Sequence, residues 1–232
     1  MKGRFTLFAA VAIGASVLLP GAAFATKIDH MDAGPTPPPP PSTDSANVIL
    51  KDDFTSGDWG TGTDKDSSVE YDNGTLRAIV YKLNYFTWST PDQTSYENVR
   101  MEATVLNNGT DPTTAFGFIC DKDPNKHDFY YLAATATGEY AIAKAVDGQN
   151  DLFLTNNDKW GRSDLIAHEA SSWRIAAECG NGRLALYVDG KEIASVTDSS
   201  YTKGQVALFA WSGEKATTTD IAFDDFVMSS LR

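Results

Sequence analysis

From residue 48 onward, short apolar runs recur at steady intervals, separated by turn-forming residues. The run Val99-Arg100-Met101-Glu102-Ala103-Thr104-Val105 alternates apolar with polar at every step, the period of a strand with one buried face. Similar segments stand at 48–50, 75–81, 115–120, 129–132, 140–146, 152–154, 173–179, 183–188, 191–196, 204–211 and 217–228. Turn signals lie between them: Asp72-Asn73-Gly74, Asn107-Asn108-Gly109, Asp147-Gly148, Gly180-Asn181-Gly182 and Asp189-Gly190. One short stretch, 164–170, has a trace of helical period. About a dozen short strands with glycine turns predict an all-β chain, a two-sheet antiparallel jelly-roll sandwich.

The first 47 residues read differently. Lys2 and Arg4 precede an almost wholly apolar stretch at 5–19, then Pro20-Gly21 and the small-x-small pattern Ala23-Phe24-Ala25. That is the layout of a secretory signal peptide, with cleavage expected after Ala25. The alternative is an uncleaved anchor, which needs roughly 20 apolar residues. Residues 26–47 hold a proline run through Pro41, followed by Ser and Thr, and read as a semi-rigid spacer in polyproline II form. A PxxP ligand for a partner domain is the other use of such a run. The expected organisation is signal peptide 1–25, spacer 26–47 and β-sandwich domain 48–232, secreted or periplasmic.

Charge narrows the partners. The chain carries 31 acidic and 19 basic residues, and two of the bases lie in the leader, leaving 17 bases against 31 acids and a charge of −14. Such a surface repels nucleic acid and anionic lipid, and suits neutral sugars, cations or plain solubility. No nucleic-acid partner and no stable membrane insertion are expected. The two cysteines, Cys120 and Cys179, form an even pair that an oxidising compartment would bridge; two buried free thiols are the alternative.

The order of several short motifs resembles a known family. They are Asp52-Asp53-Phe54, Asp72-Asn73-Gly74-Thr75-Leu76, Gly117-Phe118-Ile119-Cys120, Tyr130-Tyr131, Gly138-Glu139-Tyr140 and Trp173-Arg174-Ile175. Cys179-Gly180-Asn181-Gly182, Leu186-Tyr187-Val188-Asp189-Gly190 and Phe223-Asp224-Asp225-Phe226 complete the set. Together they resemble the concanavalin A-like lectin/glucanase superfamily, in its laminin-G-like branch, near 3-keto-disaccharide hydrolase-like domains. The resemblance implies a concave and a convex sheet, first and last strands that pair, and cysteines on neighbouring strands. It implies no single activity, because the fold hosts enzymes, lectins and scaffolds.

Candidate chemistry is sparse. The glucanase pattern Glu-x-Asp-x-x-Glu and its one-residue-shorter form are missing; Glu70-Tyr71-Asp72 comes nearest and lacks the following Glu. No Gly-x-Ser-x-Gly elbow is present, and His30, His127 and His168 are scattered, which suits surface positions better than a triad or a zinc site. Calcium is the candidate cofactor. If the first and last strands pair, Asp53 and Asp225 are the expected oxygen ligands, one from each end. Asp121-x-Asp123-x-Asn125 opens like a calcium loop but has Lys126 where glycine is needed and no closing Glu, so it reads as a loop with turn-forming acids.

Aromatics beside amides look more informative. Tyr85, Trp88, Tyr130 and Trp160 are the candidate contact residues for a glycan or cell-surface polymer, with Asn84, Asn156, Asn157 and Asp158 nearby. Trp173 and Trp211, inside apolar strands, are expected in the core. The expectation is therefore an exported, non-catalytic carbohydrate- or surface-binding module. A glycoside-acting hydrolase and an adhesive protein-interaction domain are the alternatives.

Overall fold

The computed structural model describes residues 47–55, 57–168, 170–213 and 219–231. The expected leader and, apart from Asn47, the expected spacer lie outside the described residues. Among the described residues there are sixteen strands and no α-helix. The first eight are β1 (Val48–Asp52), β2 (Gly62–Thr63), β3 (Ser67–Asp72), β4 (Thr75–Val80), β5 (Phe86–Ser89), β6 (Val99–Asn107), β7 (Ala115–Lys122) and β8 (Phe129–Thr135). The rest are β9 (Glu139–Ala145), β10 (Leu152–Phe153), β11 (Gly161–Arg162), β12 (Ser172–Gly180), β13 (Arg183–Val188), β14 (Lys191–Thr197), β15 (Gln205–Trp211) and β16 (Thr219–Ser230).

They form two antiparallel sheets. The nine-stranded sheet runs β14-β13-β12-β6-β16-β4-β3-β2, and β1 joins the edge of β16 that β4 leaves free. The seven-stranded sheet runs β10-β9-β8-β7-β15-β5, with β11 also on β9. This is the expected jelly-roll sandwich. The first and last strands pair as expected, Asp52 opposite Phe226.

The period-two pattern decides what each face of the larger sheet meets. On β6, Val99, Met101, Ala103 and Val105 are buried in the core, joined by Trp173, Ile175 and Ala177 of β12 and Leu184, Leu186 and Val188 of β13. The opposite face carries a ladder of charges. Arg100 bridges Glu102 at 2.7 Å and Glu178 at 2.9 Å; Arg183 bridges Glu178 at 2.8 Å and Glu192 at 2.7 Å. Tyr187 donates its hydroxyl to Glu178 at 2.9 Å, and the Arg100 guanidinium lies over the Tyr187 ring.

Cys120 and Cys179 are bridged, with Cα atoms 6.5 Å apart. Their setting corrects the expectation of neighbouring strands. Cys120 is on β7 and Cys179 on β12, which belong to different sheets. The bridge therefore staples the two layers across the core, closing a loop of 59 residues. Segment 164–170 is another correction. Its described residues 164–168 form turns, not a helix: Ile166 plugs the core, and the Trp173 indole donates to the Ala167 carbonyl at 2.8 Å. Its apolar spacing reflects that plug.

Candidate functional site

On the seven-stranded sheet the alternation breaks down. Every residue of β7 and β8 is buried, although one face of these strands points away from the core. An antiparallel sheet normally turns one polar face to water. Here a second apolar cluster covers that face: Ala115, Ile119, Phe129, Tyr131, Ala133, Ala207 and Phe209, with Phe86, Phe153, Trp160 and Trp211 packed on it. The register puts these side chains together. Trp211 pairs with Ala115 and Phe86, and Phe209 with Gly117 and Trp88. Directly paired residues on antiparallel strands share a face.

Small residues form the floor and rings form the walls. Gly117 is a requirement of this packing: a Cβ there would lie 1.9 Å from the Leu132 carbonyl oxygen and 3.1 Å from the Phe209 ring. Phe86 stacks on Phe209 with centroids 4.6 Å apart. Trp160 and Trp211 lie nearly parallel at 6.1 Å, and Phe153 stands 6.0 Å from Trp160. Between them is a cavity of about 330 Å³, rimmed by Asn84, His127 and Asp151. The row of rings continues outward through Phe129 and His127, 4.7 Å apart, to Trp88.

The loop that carries Trp160 is built locally. Asn156, Asn157 and Asp158 all have left-handed backbones, with φ of 56°, 55° and 64°. Asn and Asp tolerate that region better than other residues bearing a Cβ. Asp158 accepts a hydrogen bond from the Phe153 amide at 3.1 Å, and Asn156 accepts one from the Tyr140 hydroxyl at 3.1 Å. These polar side chains, expected beside a ligand, instead shape the turn that presents the indole.

The sequence candidates separate clearly. Trp160 lines the cavity. Trp88 is 37% exposed and stands at the outer end of the aromatic row. Tyr85 is half-buried beside the cavity; its amide donates to Ser212, and Lys82 lies over its ring. Tyr130 is corrected outright. It is 0% exposed, faces the core between the sheets, and donates its hydroxyl to Asp198. Its neighbour Tyr131, one residue out of phase, is the one on the cavity face. Trp173 is in the core as expected, but Trp211 is not: it is half-buried and lines the cavity. Phe86, Phe129, Tyr131, Phe153, Phe209, His127 and Asp151 went unnoticed as contact residues. The one sequence signal, and only for Phe129, Tyr131 and Phe209, is the unbroken apolar character of 115–120, 129–134 and 206–211, which no single buried face requires.

Burial, reinforced by the negative charge of Asp151, pushes the Tyr131 phenol well above its usual range, so it stays a neutral hydroxyl. Among the described residues lining the cavity, Asp151 is the one carboxylate. The arrangement suits a flat ligand with an apolar face and hydrogen-bonding edges.

The acids expected to hold calcium stand otherwise. Asp53 accepts the Thr55 amide at 3.2 Å and hydroxyl at 2.7 Å, while Asp225 sits exposed at a bulge in β16 with φ of 48°. Asp52 serves the core, accepting the Phe54 amide at 2.7 Å and the Trp59 indole at 3.0 Å. Among the described residues no three His, Cys, Asp or Glu side chains gather as metal ligands. No described helix is long and apolar enough to cross a membrane.

No protein-family model matches the sequence, and no curated protein matches it. Solved structures match its fold. A carbohydrate-binding module, CBM66, from Bacillus subtilis superposes with a TM-score of 0.58 at 13% identity, over 75% of this chain and 96% of that one. A β-glucanase from Bacillus licheniformis gives 0.56 at 15% identity, over 80% and 99%. A protein with a galectin-like fold from Bacillus subtilis gives 0.59 at 12% identity, over 79% and 96%. At these identities the likeness is one of fold, and the fold is the concanavalin A-like jelly roll.

Proposed function

We propose that this chain is an exported carbohydrate-binding domain whose ligand seats in the aromatic cavity on the seven-stranded sheet. The observation that carries the reading is the cavity itself. Its volume, about 330 Å³, falls at the small end of ligand sites, which run from about 300 to 1,000 Å³. Trp160, Trp211 and Phe86 offer flat faces to the C–H side of a sugar ring. Asn84, His127, Asp151 and the neutral Tyr131 hydroxyl offer donors and acceptors to its edges. The acidic surface favours a neutral saccharide over an anionic one. Structures of like fold include one described as a carbohydrate-binding module and others described as glucanases.

Binding is favoured over hydrolysis. Glycoside hydrolysis commonly takes two carboxylates flanking one bond, and the described lining supplies Asp151 alone. The test is a glycan-array and polysaccharide binding screen, with released sugars assayed in parallel. Saturable binding without product, lost in Trp160→Ala, supports the reading. Release of product makes the chain a hydrolase. Binding to no glycan overturns the reading and turns attention to protein partners.

A further inference from the structure

The lining of the aromatic cavity goes beyond what a neutral sugar calls for. Seven rings of Phe, Tyr and Trp, one carboxylate and no lysine or arginine line it. A neutral monosaccharide stacks one face on a ring and turns hydroxyls outward all round its edge. The polar side chains here are few: Asn84, His127, Asp151 and the Tyr131 hydroxyl. A hydroxyl pressed against bare rings loses water without gaining a partner, which costs free energy. An ammonium group behaves differently. Ring faces carry partial negative charge and attract a cation held within about 6 Å of the centroid.

The chain's own cations show where that attraction is already used. Lys82 lies 4.9 Å from the Tyr85 centroid, and Lys122 lies 6.0 Å from that of Trp88. Neither ring belongs to the cavity lining. Among the described residues no lysine or arginine lies over a ring that does. Trp160, Trp211 and Phe153, packed together on one side of the cavity, are thus without a protein cation.

Asp151 suits the same chemistry. It stands at the rim, is exposed, and among the described residues forms no ion pair. Glu178, Glu192 and Asp198, by contrast, each hold an arginine or a lysine. Asp151 immediately precedes β10, so the strand that places the Phe153 ring also sets this carboxylate beside it. The other rim group that titrates, His127, packs edge-on against Phe129 at 4.7 Å. Over longer range the whole chain, with 31 acids against 19 bases, draws cations toward its surface.

We propose that the ligand of this cavity is an amino sugar with a free ammonium group, as found in a deacetylated amino-sugar polymer. The ammonium sits against the faces of Trp160, Trp211 and Phe153 and donates to Asp151, while Asn84 and the Tyr131 hydroxyl meet the sugar hydroxyls. This rests on the glycan reading of the cavity and narrows it from saccharides in general to cationic ones. An N-acetyl group on the same nitrogen removes the charge, and with it both attractions.

NMR titration of the full chain, read at the tryptophan indole N–H signals, tests this. The probes are glucosamine, N-acetylglucosamine and glucose, and the matching galactose series, at a pH where the free amine is protonated. In at least one series the amino sugar binds roughly tenfold more tightly than its acetylated and neutral counterparts. Asp151→Asn brings that ratio close to one, and high salt lowers it in the wild type. Equal or tighter binding of the acetylated or neutral sugar overturns the inference and leaves the glycan reading standing. A preference that survives Asp151→Asn overturns it too. Silence from all these sugars, with binding in the glycan screen, overturns the inference alone; silence in both overturns the glycan reading with it.

Discussion

The outer faces of the two sheets both point away from the core, and they treat solvent in opposite ways. On the nine-stranded sheet, Glu178 accepts from Arg100, Arg183 and Tyr187, and Arg183 goes on to Glu192. In this ladder Arg100, Glu178, Arg183 and Glu192 each have a partner on a neighbouring strand. On the seven-stranded sheet the corresponding positions hold Phe86, Phe129, Tyr131, Phe209 and Trp211 around an open cavity. Rings that could have sat in a core are spent on a surface. A fold of this kind gains little stability from a half-wet aromatic cleft, whereas a ligand gains much. The contrast is what places the proposed binding site on the seven-stranded sheet, without any appeal to a catalytic motif.

The strongest test of the comparison cuts the tie between the two layers. Replacing both cysteines, Cys120→Ala with Cys179→Ala, should lower the unfolding free energy by roughly 4 kcal/mol for a loop of this size. Urea titration measures it. Well below the lowered midpoint, the variant should still bind the wild-type ligand, because the cavity is built within one sheet.

The two acids Glu178 and Asp121 sharpen the contrast further, one with three donors and one with none among the described residues. Burial raises Asp121 from 3.8 to about 6 in the folded chain, so the folded state holds its proton more tightly than the unfolded state does. Stability should therefore fall as pH rises from about 4 to about 6, by up to about 3 kcal/mol, and stay lower above that. Asp121→Asn should match wild type near pH 4 and exceed it at pH 7. A difference that is constant across this window would refute the burial argument.

On the cavity face, Trp160→Ala should weaken glycan binding by about 30-fold, which is about 2 kcal/mol, with a small change in melting temperature. Calorimetric titration against the best ligand from the screen gives the number. The opposite face should behave in reverse. Glu178→Gln leaves two guanidinium groups short of a partner at a partly exposed site, and should cost about 1 kcal/mol of stability, less at high salt. Its affinity for the glycan should equal wild type; a loss there would mean that the ligand reaches both faces.

Much of the architecture was legible along the chain. Alternation at 99–105 gave β6 its inner and outer faces correctly, because one of those faces is charged and the contrast is visible. The glycine turns marked the hairpin of β12 and β13, and the even cysteine count anticipated the bridge. Strands β3 and β5 were missed, since Ser67-Ser68 and Thr87 interrupt their apolar pattern. The candidate site was legible only in part. Trp160 and Trp88 stood out beside polar residues, whereas Trp211 and Tyr130 were placed on the wrong side of their strands.

The reason is physical. Side chains on a strand change face at every residue, so one step in phase moves a ring from core to cavity. Where both faces are apolar, as in 115–120 and 206–211, alternation vanishes and nothing local fixes the phase. The sequence by itself determined that these segments are strands in a two-layer sandwich and that two cysteines were free to join. Which of Tyr130 and Tyr131 meets the core, which of Trp173 and Trp211 meets the cavity, and that the bridge crosses between sheets were decided only by how the layers dock. Docking places each ring relative to strands distant in the chain, and that information lies in no window of neighbouring residues.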